Sequence, residues 1–367
     1  MAPTQDALYA DIDLALSWSE RDLPERERTR HVHRLHPYLG KFIPQLVEVL
    51  LARYFRPGQH VLDPFAGSGT TLVQALESGL DATGVDVAAF NCLLMDVKTR
   101  TYNPFVLEQE LRAAHARVGE VSSERSSEFV RRWYAPQAAR ELLGFRSLLD
   151  EFEHAVVLRV VLARAARSAR RTTHFDLDFP REPQREPYWC HKHRRECRPV
   201  ETAAQFLRRY TLDTLARLKE FARVRARGRA ATVIHGDVRE EKLGRFDGIL
   251  TSPPYPGLID YHEQHRYAYE LLGLDDRREL EVGAAAAGTS RAALAAYSDG
   301  IVAALLNARR RLPKGAPILI VVNDRRDLYP EILERAALRL EERLRRHVNR
   351  RTGRRAGEFF EDVLIAR

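Results

Sequence analysis

Cysteine is scarce in this chain. Three residues of 367, Cys92, Cys190 and Cys197, cannot build a disulfide framework. Their scarcity points to a reducing compartment. No apolar run approaches the ~18 residues that span a bilayer. The opening stretch, MAPTQDALYADIDLAL, lacks the basic-then-apolar pattern of a secretory signal. These absences set the expectation of a soluble, cytoplasmic protein. A composition of 44% hydrophobic and 30% charged residues excludes collagen-like, low-complexity and wholly disordered chains. The length suits one large or two ordinary domains.

What the chain has is positive charge, and in one place. The formal net charge is +8. Residues 100–232 hold 27 Lys+Arg against 17 Asp+Glu, so the whole excess lies in this central segment. Such a segment reads either as a phosphate-facing surface or as a solvated Arg-rich helical face. A second basic run, Arg339 to Arg355, carries eight Arg against two Glu.

The spacing predicts alternating helices and strands at both ends of the chain. LVEVLLARY (Leu46 to Tyr54) reads as a helix and HVLDPF (His60 to Phe65) as a short buried strand. AGSG follows at once, then a helix over Thr70 to Gly79 and a strand over Asp81 to Val87. A strand–glycine loop–helix–strand unit implies a parallel sheet with a right-handed crossover. From Thr101 to Arg229 the pattern turns helical, broken by the Pro-containing stretch Phe175 to Trp189. Strands resume at Ala231 to Asp237, Phe246 to Tyr255, Ala316 to Asp324 and Phe359 to Ala366, with a helix over Tyr297 to Leu312. The expected fold is α/β, one doubly wound sheet with a large, mostly helical insertion. The expected boundaries are 1–100, 101–230 for the insertion, and 231–367.

DPFAGSGTT (Asp63 to Thr71) places Gly67 and Gly69 between a strand and a helix, where they permit a tight turn and close backbone approach to a ligand. The third glycine of a dinucleotide fingerprint is missing, and so is the G-x-x-x-x-G-K-[ST] phosphate loop. An adenosine ligand without a pyrophosphate fits better. Asp86 closes the second strand and is placed to bind ribose hydroxyls. Asp63, ending the first strand, is a candidate for holding an ammonium group. TSPPY (Thr251 to Tyr255) ends another predicted strand. SPPY arises by chance in a chain this long roughly twice in a thousand.

DPFAGSGTT, TSPPY and HPYLGKFIPQL (His36 to Leu46) together resemble the amino-group DNA methyltransferases that use S-adenosylmethionine (SAM). The resemblance covers both α/β parts of the chain and implies a Rossmann-like methyltransferase sheet. It makes Ser252, Pro253, Pro254 and Tyr255 the catalytic tetrapeptide, of the general form [D/N/S]-P-P-[Y/F/W]. It places SAM on Asp63, Phe65, Gly67, Gly69, Thr70 and Asp86. Asp237 falls near the adenine amine, and Lys41 and Phe42 near the methionine end. The Ser form of the tetrapeptide is typical of members methylating N4 of cytosine, and Asp or Asn of members methylating N6 of adenine. Many Ser-type members carry the tetrapeptide before the glycine loop, the reverse of the order here, so adenine stays open.

The chemistry suits these residue types. The exocyclic amine of cytosine is a poor nucleophile, because its lone pair is delocalised into the ring. Ser252 Oγ and the Pro253 carbonyl are candidates to accept its two hydrogens, and Tyr255 to stack on a base extruded from double-stranded DNA. The C5-cytosine mechanism needs a Cys nucleophile, usually after Pro, and none of the three Cys follows Pro. In this motif order the segment between loop and tetrapeptide usually recognises the target, and here that segment is the basic one. The implied partner is DNA, in a solitary or a restriction-linked enzyme with a cognate endonuclease. RNA or protein-amide methylation, and a non-catalytic nucleic-acid-binding module, remain the alternatives.

YWCHKHRREC (Tyr188 to Cys197) sets Cys190, His193 and Cys197 at spacings that could supply three ligands of a structural zinc, with His191 or His174 as fourth. The other reading is a basic, aromatic loop that contacts phosphates.

Overall fold

Apolar residues of the inner strands of the sheet point alternately to its two faces, and this alternation builds a core on each. The computed structural model describes residues 13–18, 22–40, 42–122, 126–174, 180–348 and 359–367. Contacts divide the chain into two units. The first is Met1–Thr99, Val224–Asp260 and Glu279–Arg367, and the second is Arg100–Arg223 with Tyr261–Arg278.

The first unit carries a seven-stranded sheet. Its strands are β1 His60–Asp63, β2 Asp81–Asp86, β3 Ala231–His235, β4 Gly248–Thr251, β5 Ile318–Val322, β6 Leu340–His347 and β7 Phe360–Ala366. Their spatial order is β3-β2-β1-β4-β5-β7-β6. The first five are parallel, whereas β7 runs antiparallel to β5 and β6 antiparallel to β7. Leu62, Ile249, Ile318, Ile320 and Leu364 face one side, with Ile301, Leu305 and Ile332 of the helices Arg291–Arg309 and Tyr329–Arg335. Val61, Leu250, Leu319, Val321 and Val363 face the other. Helices α1 Pro44–Tyr54, α2 Thr70–Glu77 and α3 Ala89–Thr99 cover that side with Leu46, Leu50, Leu72, Ala75 and Met95. β5 is buried at every position, as expected for a strand covered on both faces.

The expected strands and helices all occur, with ends shifted by a few residues. β6 is the difference. Its sequence, LEERLRRH, reads as a basic run, yet it is a strand whose charges are met by β7. Arg343 donates to Asp362 at 2.7 Å, and Arg346 donates to Glu361 through Nε and Nη2 at 2.9 and 2.7 Å. The rest of that run, residues 349–355, lies outside the described residues.

The second unit is mainly helical, with helices Pro104–Ala116, Glu128–Trp133, Pro136–Ser147, Ala155–Ala169, Ala204–Val224 and Arg266–Leu272. A two-stranded hairpin pairs Tyr188–Cys190 with Arg195–Cys197. Much of its arginine is spent internally. Buried Arg164 donates to Thr214 Oγ1 at 2.6 Å and pairs with Asp213, which also accepts from Arg217 at 2.7 and 2.8 Å. Tyr261–Arg278 belongs to this unit, although its position in the sequence puts it within the C-terminal α/β part. The reason is packing: Tyr267 is fully buried there, with Arg170 stacked over its ring at 4.8 Å.

Arg346 and Glu361 are nearly inaccessible, so removing one partner strands a buried charge. Arg346→Met should lower unfolding free energy by about 3–5 kcal/mol, and adding Glu361→Leu should recover part of it, the Tyr255 hydroxyl then losing its acceptor. Urea titration of the three proteins checks this; equal losses in single and double variants would contradict it.

Candidate active site

β1 and β4 are neighbours and parallel, with Leu62 opposite Ile249, so the segments that follow them emerge at the same rim of the sheet. Ligands of open α/β sheets bind at this carboxyl rim. The glycine loop leaves β1 and the tetrapeptide leaves β4.

Two glycines make the loop possible. Gly67 has φ +51° and Gly69 φ +80°, a region that favours glycine. Space forbids a side chain as well: a Cβ at Gly67 would lie 2.9 Å from Tyr38 Oη, and one at Gly69 2.7 Å from Met95 Cγ. The element His36 to Leu46 therefore does lie against the loop, through Tyr38. Asp86 holds the loop from β2. Its Oδ2 accepts from Gly67 N at 2.8 Å, and Oδ1 accepts from Ala88 N at 2.8 Å and Asn91 Nδ2 at 3.1 Å. Asn91 also donates to Tyr38 Oη at 3.1 Å. Burial pushes the Asp86 carboxyl up to about 7, against these stabilising donors. Lys98, almost wholly buried, donates to the Ser68 carbonyl at 2.5 Å.

Asp63 has a different part from the one expected. Its Oδ2 accepts from Thr71 Oγ1 and its Oδ1 from Thr251 Oγ1, both at 2.6 Å, and the side chain is 1% exposed. A carboxylate enclosed this way ties the loop and the start of α2 to the end of β4; it has no open face for an ammonium group. Its pKa is raised to about 6 by burial, with the two threonine bonds opposing.

The tetrapeptide follows directly. Pro253 is buried; Ser252, Pro254 and Tyr255 are partly exposed. Tyr255 Oη donates to Glu361 Oε1 at 3.2 Å, the same carboxylate that Arg346 holds. Ser252 is hydrogen-bonded to Tyr255, whose phenol is held well above its ordinary range by burial and by Glu361. Phe65 and Tyr255 pack against the same side of the sheet.

Two other expected cofactor residues are placed differently. Phe42 is a core residue, 7% exposed. Asp237 follows β3 at the correct rim, but Arg239 already grips both of its oxygens. Lys41 lies outside the described residues. Thr70 is buried at the start of α2. Sequence reasoning missed Tyr38, Asn91, Thr71 and Thr251, though both threonines stand inside the two motifs. It also missed the Glu361–Arg346 pair, which no local pattern signals.

The residues present fit SAM. The loop forms a cradle that side chains would fill, and Asp86 stands beside it at the end of β2. Ser68 Oγ and Asn91 Oδ1 are buried beside it without hydrogen-bond partners among the described residues.

In the second unit, one ligand atom each of His174, Cys190, His193 and Cys197 lie within 4.8 Å of one another. His191 is exposed and outside this group.

Sheet order, glycine loop and rim acid together define a Rossmann-like, SAM-dependent methyltransferase. A sequence profile of the DNA methylase family of N6 and N4 type matches residues 10–95. The Type II methyltransferase M.MjaII of Methanocaldococcus jannaschii is 36% identical, over 96% of this chain and 82% of its own length. The Type II methyltransferase M.MvaI of Kocuria varians is 23% identical, over 68% of this chain and 59% of its own. The chain belongs to the amino-group DNA methyltransferase family.

The raised pKa values of Asp63 and Asp86 have a testable sign. The folded chain keeps these protons at pH values where an unfolded carboxyl, near 3.9, has lost them. Their contribution to stability therefore falls as pH rises from about 4 to about 7, by at most about 1.4 kcal/mol per pH unit for each group. Asp86→Asn should become more stable relative to the parent protein between pH 5 and pH 7.5. Urea midpoints at the two pH values measure this, and a constant difference would show that Asp86 keeps an ordinary pKa.

Proposed function

We propose that this enzyme methylates the exocyclic N4 amine of cytosine at a specific site in double-stranded DNA. The observation that carries the reading is the Ser-Pro-Pro-Tyr sequence at the end of β4, tied through Thr251 and Asp63 to the glycine loop of β1. When bound, SAM supplies a methyl group on a positively charged sulfur, an electrophile that needs no further activation. Gly67, Gly69 and the Asp86 carboxylate would hold it, with Phe65 and Thr70 in supporting positions.

The chain's residues act on the amine. The Ser252 hydroxyl and the Pro253 carbonyl accept its two hydrogens, which favours a pyramidal nitrogen and exposes the lone pair. Proline fixes φ, so the acceptors are set before the base arrives. Tyr255 presents its ring to the extruded base while its hydroxyl stays anchored on Glu361. The nitrogen becomes more acidic as it gains a carbon, and the proton leaves through the acceptors to solvent. Catalysis here is mainly positioning.

N6-adenine methylation is the second reading, favoured by the order of the motifs, in which the glycine loop precedes the tetrapeptide. The second unit is proposed to read the target, with the exposed Arg181, Arg185, Lys192, Arg194, Arg195 and Arg198 facing phosphates. A cytoplasmic enzyme working beside a cognate restriction endonuclease fits this reading.

Nucleoside analysis of DNA treated with enzyme and SAM should yield N4-methylcytosine; N6-methyladenine would overturn the cytosine assignment. Ser252→Ala should lower the methylation rate at least ~100-fold and leave SAM binding by calorimetry largely intact. Loss of SAM binding would show that the serine serves the cofactor instead. Arg194→Ala with Arg195→Ala should weaken DNA binding and reduce its log–log salt slope by about 2. An unchanged slope would move the phosphate contacts elsewhere.

A further inference from the structure

We propose that His174, Cys190, His193 and Cys197 form a structural zinc site that clamps the basic hairpin of the second unit. This inference does not depend on which base is methylated.

The geometry is the first argument. Cys190 Sγ lies 3.5 Å from His174 Nδ1, and Cys197 Sγ lies 3.4 Å from His193 Nδ1. Zinc–sulfur bonds of about 2.3 Å and zinc–nitrogen bonds of about 2.05 Å give a tetrahedron whose S···N edge is about 3.6 Å. Both pairs are set at that edge length. The two imidazole centroids are 4.5 Å apart, and one nitrogen of each ring lies within 4.8 Å of the other ring's and of both sulfurs.

The second argument is what surrounds the hairpin. Its strands are three residues each, joined through Arg194 at φ +52°. A hairpin of this size is marginal without a core or a staple. Trp189, its largest apolar side chain, is 60% exposed. The two cysteines are its buried residues, and each meets a histidine, Cys190 His174 and Cys197 His193. His174 comes from 16 residues before Cys190, so the ion would also fasten a distant stretch of chain. An ion on His174 Nδ1 replaces the 2.8 Å hydrogen bond from Tyr188 Oη, whose oxygen still accepts from His174 N at 3.2 Å. Binding Zn2+ releases two thiol protons to solvent; no oxidation or reduction is involved.

The full-length protein, purified without chelator, should contain about one zinc per chain by plasma mass spectrometry. Cobalt in place of zinc should give the intense visible absorption of tetrahedral thiolate ligation. Cys190→Ser and His174→Ala should each lose the metal, and His191→Ala should keep it. The direct metal measurement on the unaltered protein needs no variant to fold. Metal-free protein after reconstitution with zinc sulfate, a Cys190–Cys197 disulfide by mass, or metal loss in His191→Ala with retention in His174→Ala would each overturn the site.

Discussion

The site depends on one buried carboxylate. Asp63 accepts from a threonine of the cofactor loop's helix and from the threonine that precedes the tetrapeptide. Each bond joins a segment that would otherwise leave the sheet independently. Desolvation costs the charged form, so the carboxylate persists because both of its oxygens are met. With that tie made, the glycine loop and the tetrapeptide cannot drift apart, and the rim is held as one unit.

The tetrapeptide is also held from the far side. Tyr255 reaches across to Glu361 on β7, and Arg346 on β6 fixes Glu361. The antiparallel edge thus fixes the tetrapeptide through its tyrosine. Asp86, Asn91 and Tyr38 do the same for the glycine loop. Residues on β2, α3, β6 and β7, with Tyr38 ahead of α1, therefore converge on two short loops.

Much of this was legible in the chain. The short apolar runs, the glycines and the tetrapeptide mark local constraints, and the strands and the loops after them lie where these put them. Asp63 was recognised as important, yet its partners were not, since they come from positions 8 and 188 residues away. β6 escaped because charges that neutralise across a strand pair look like a solvated run when read alone. Phe42 fell into the core because a hydrophobic residue beside a loop has two equally plausible directions in sequence. The total charge misled in part, since Arg164 and Arg217 are consumed by Asp213 within the second unit.

The chain leaves the first unit at Arg100, returns at Val224, leaves again at Tyr261 and returns at Glu279. The second unit is thus assembled from two excursions, and the shorter one starts six residues after Tyr255. Any chimera that exchanges the second unit between relatives must carry both excursions as a matched set. Exchanging the longer alone would leave the buried Tyr267 and its arginine from different parents.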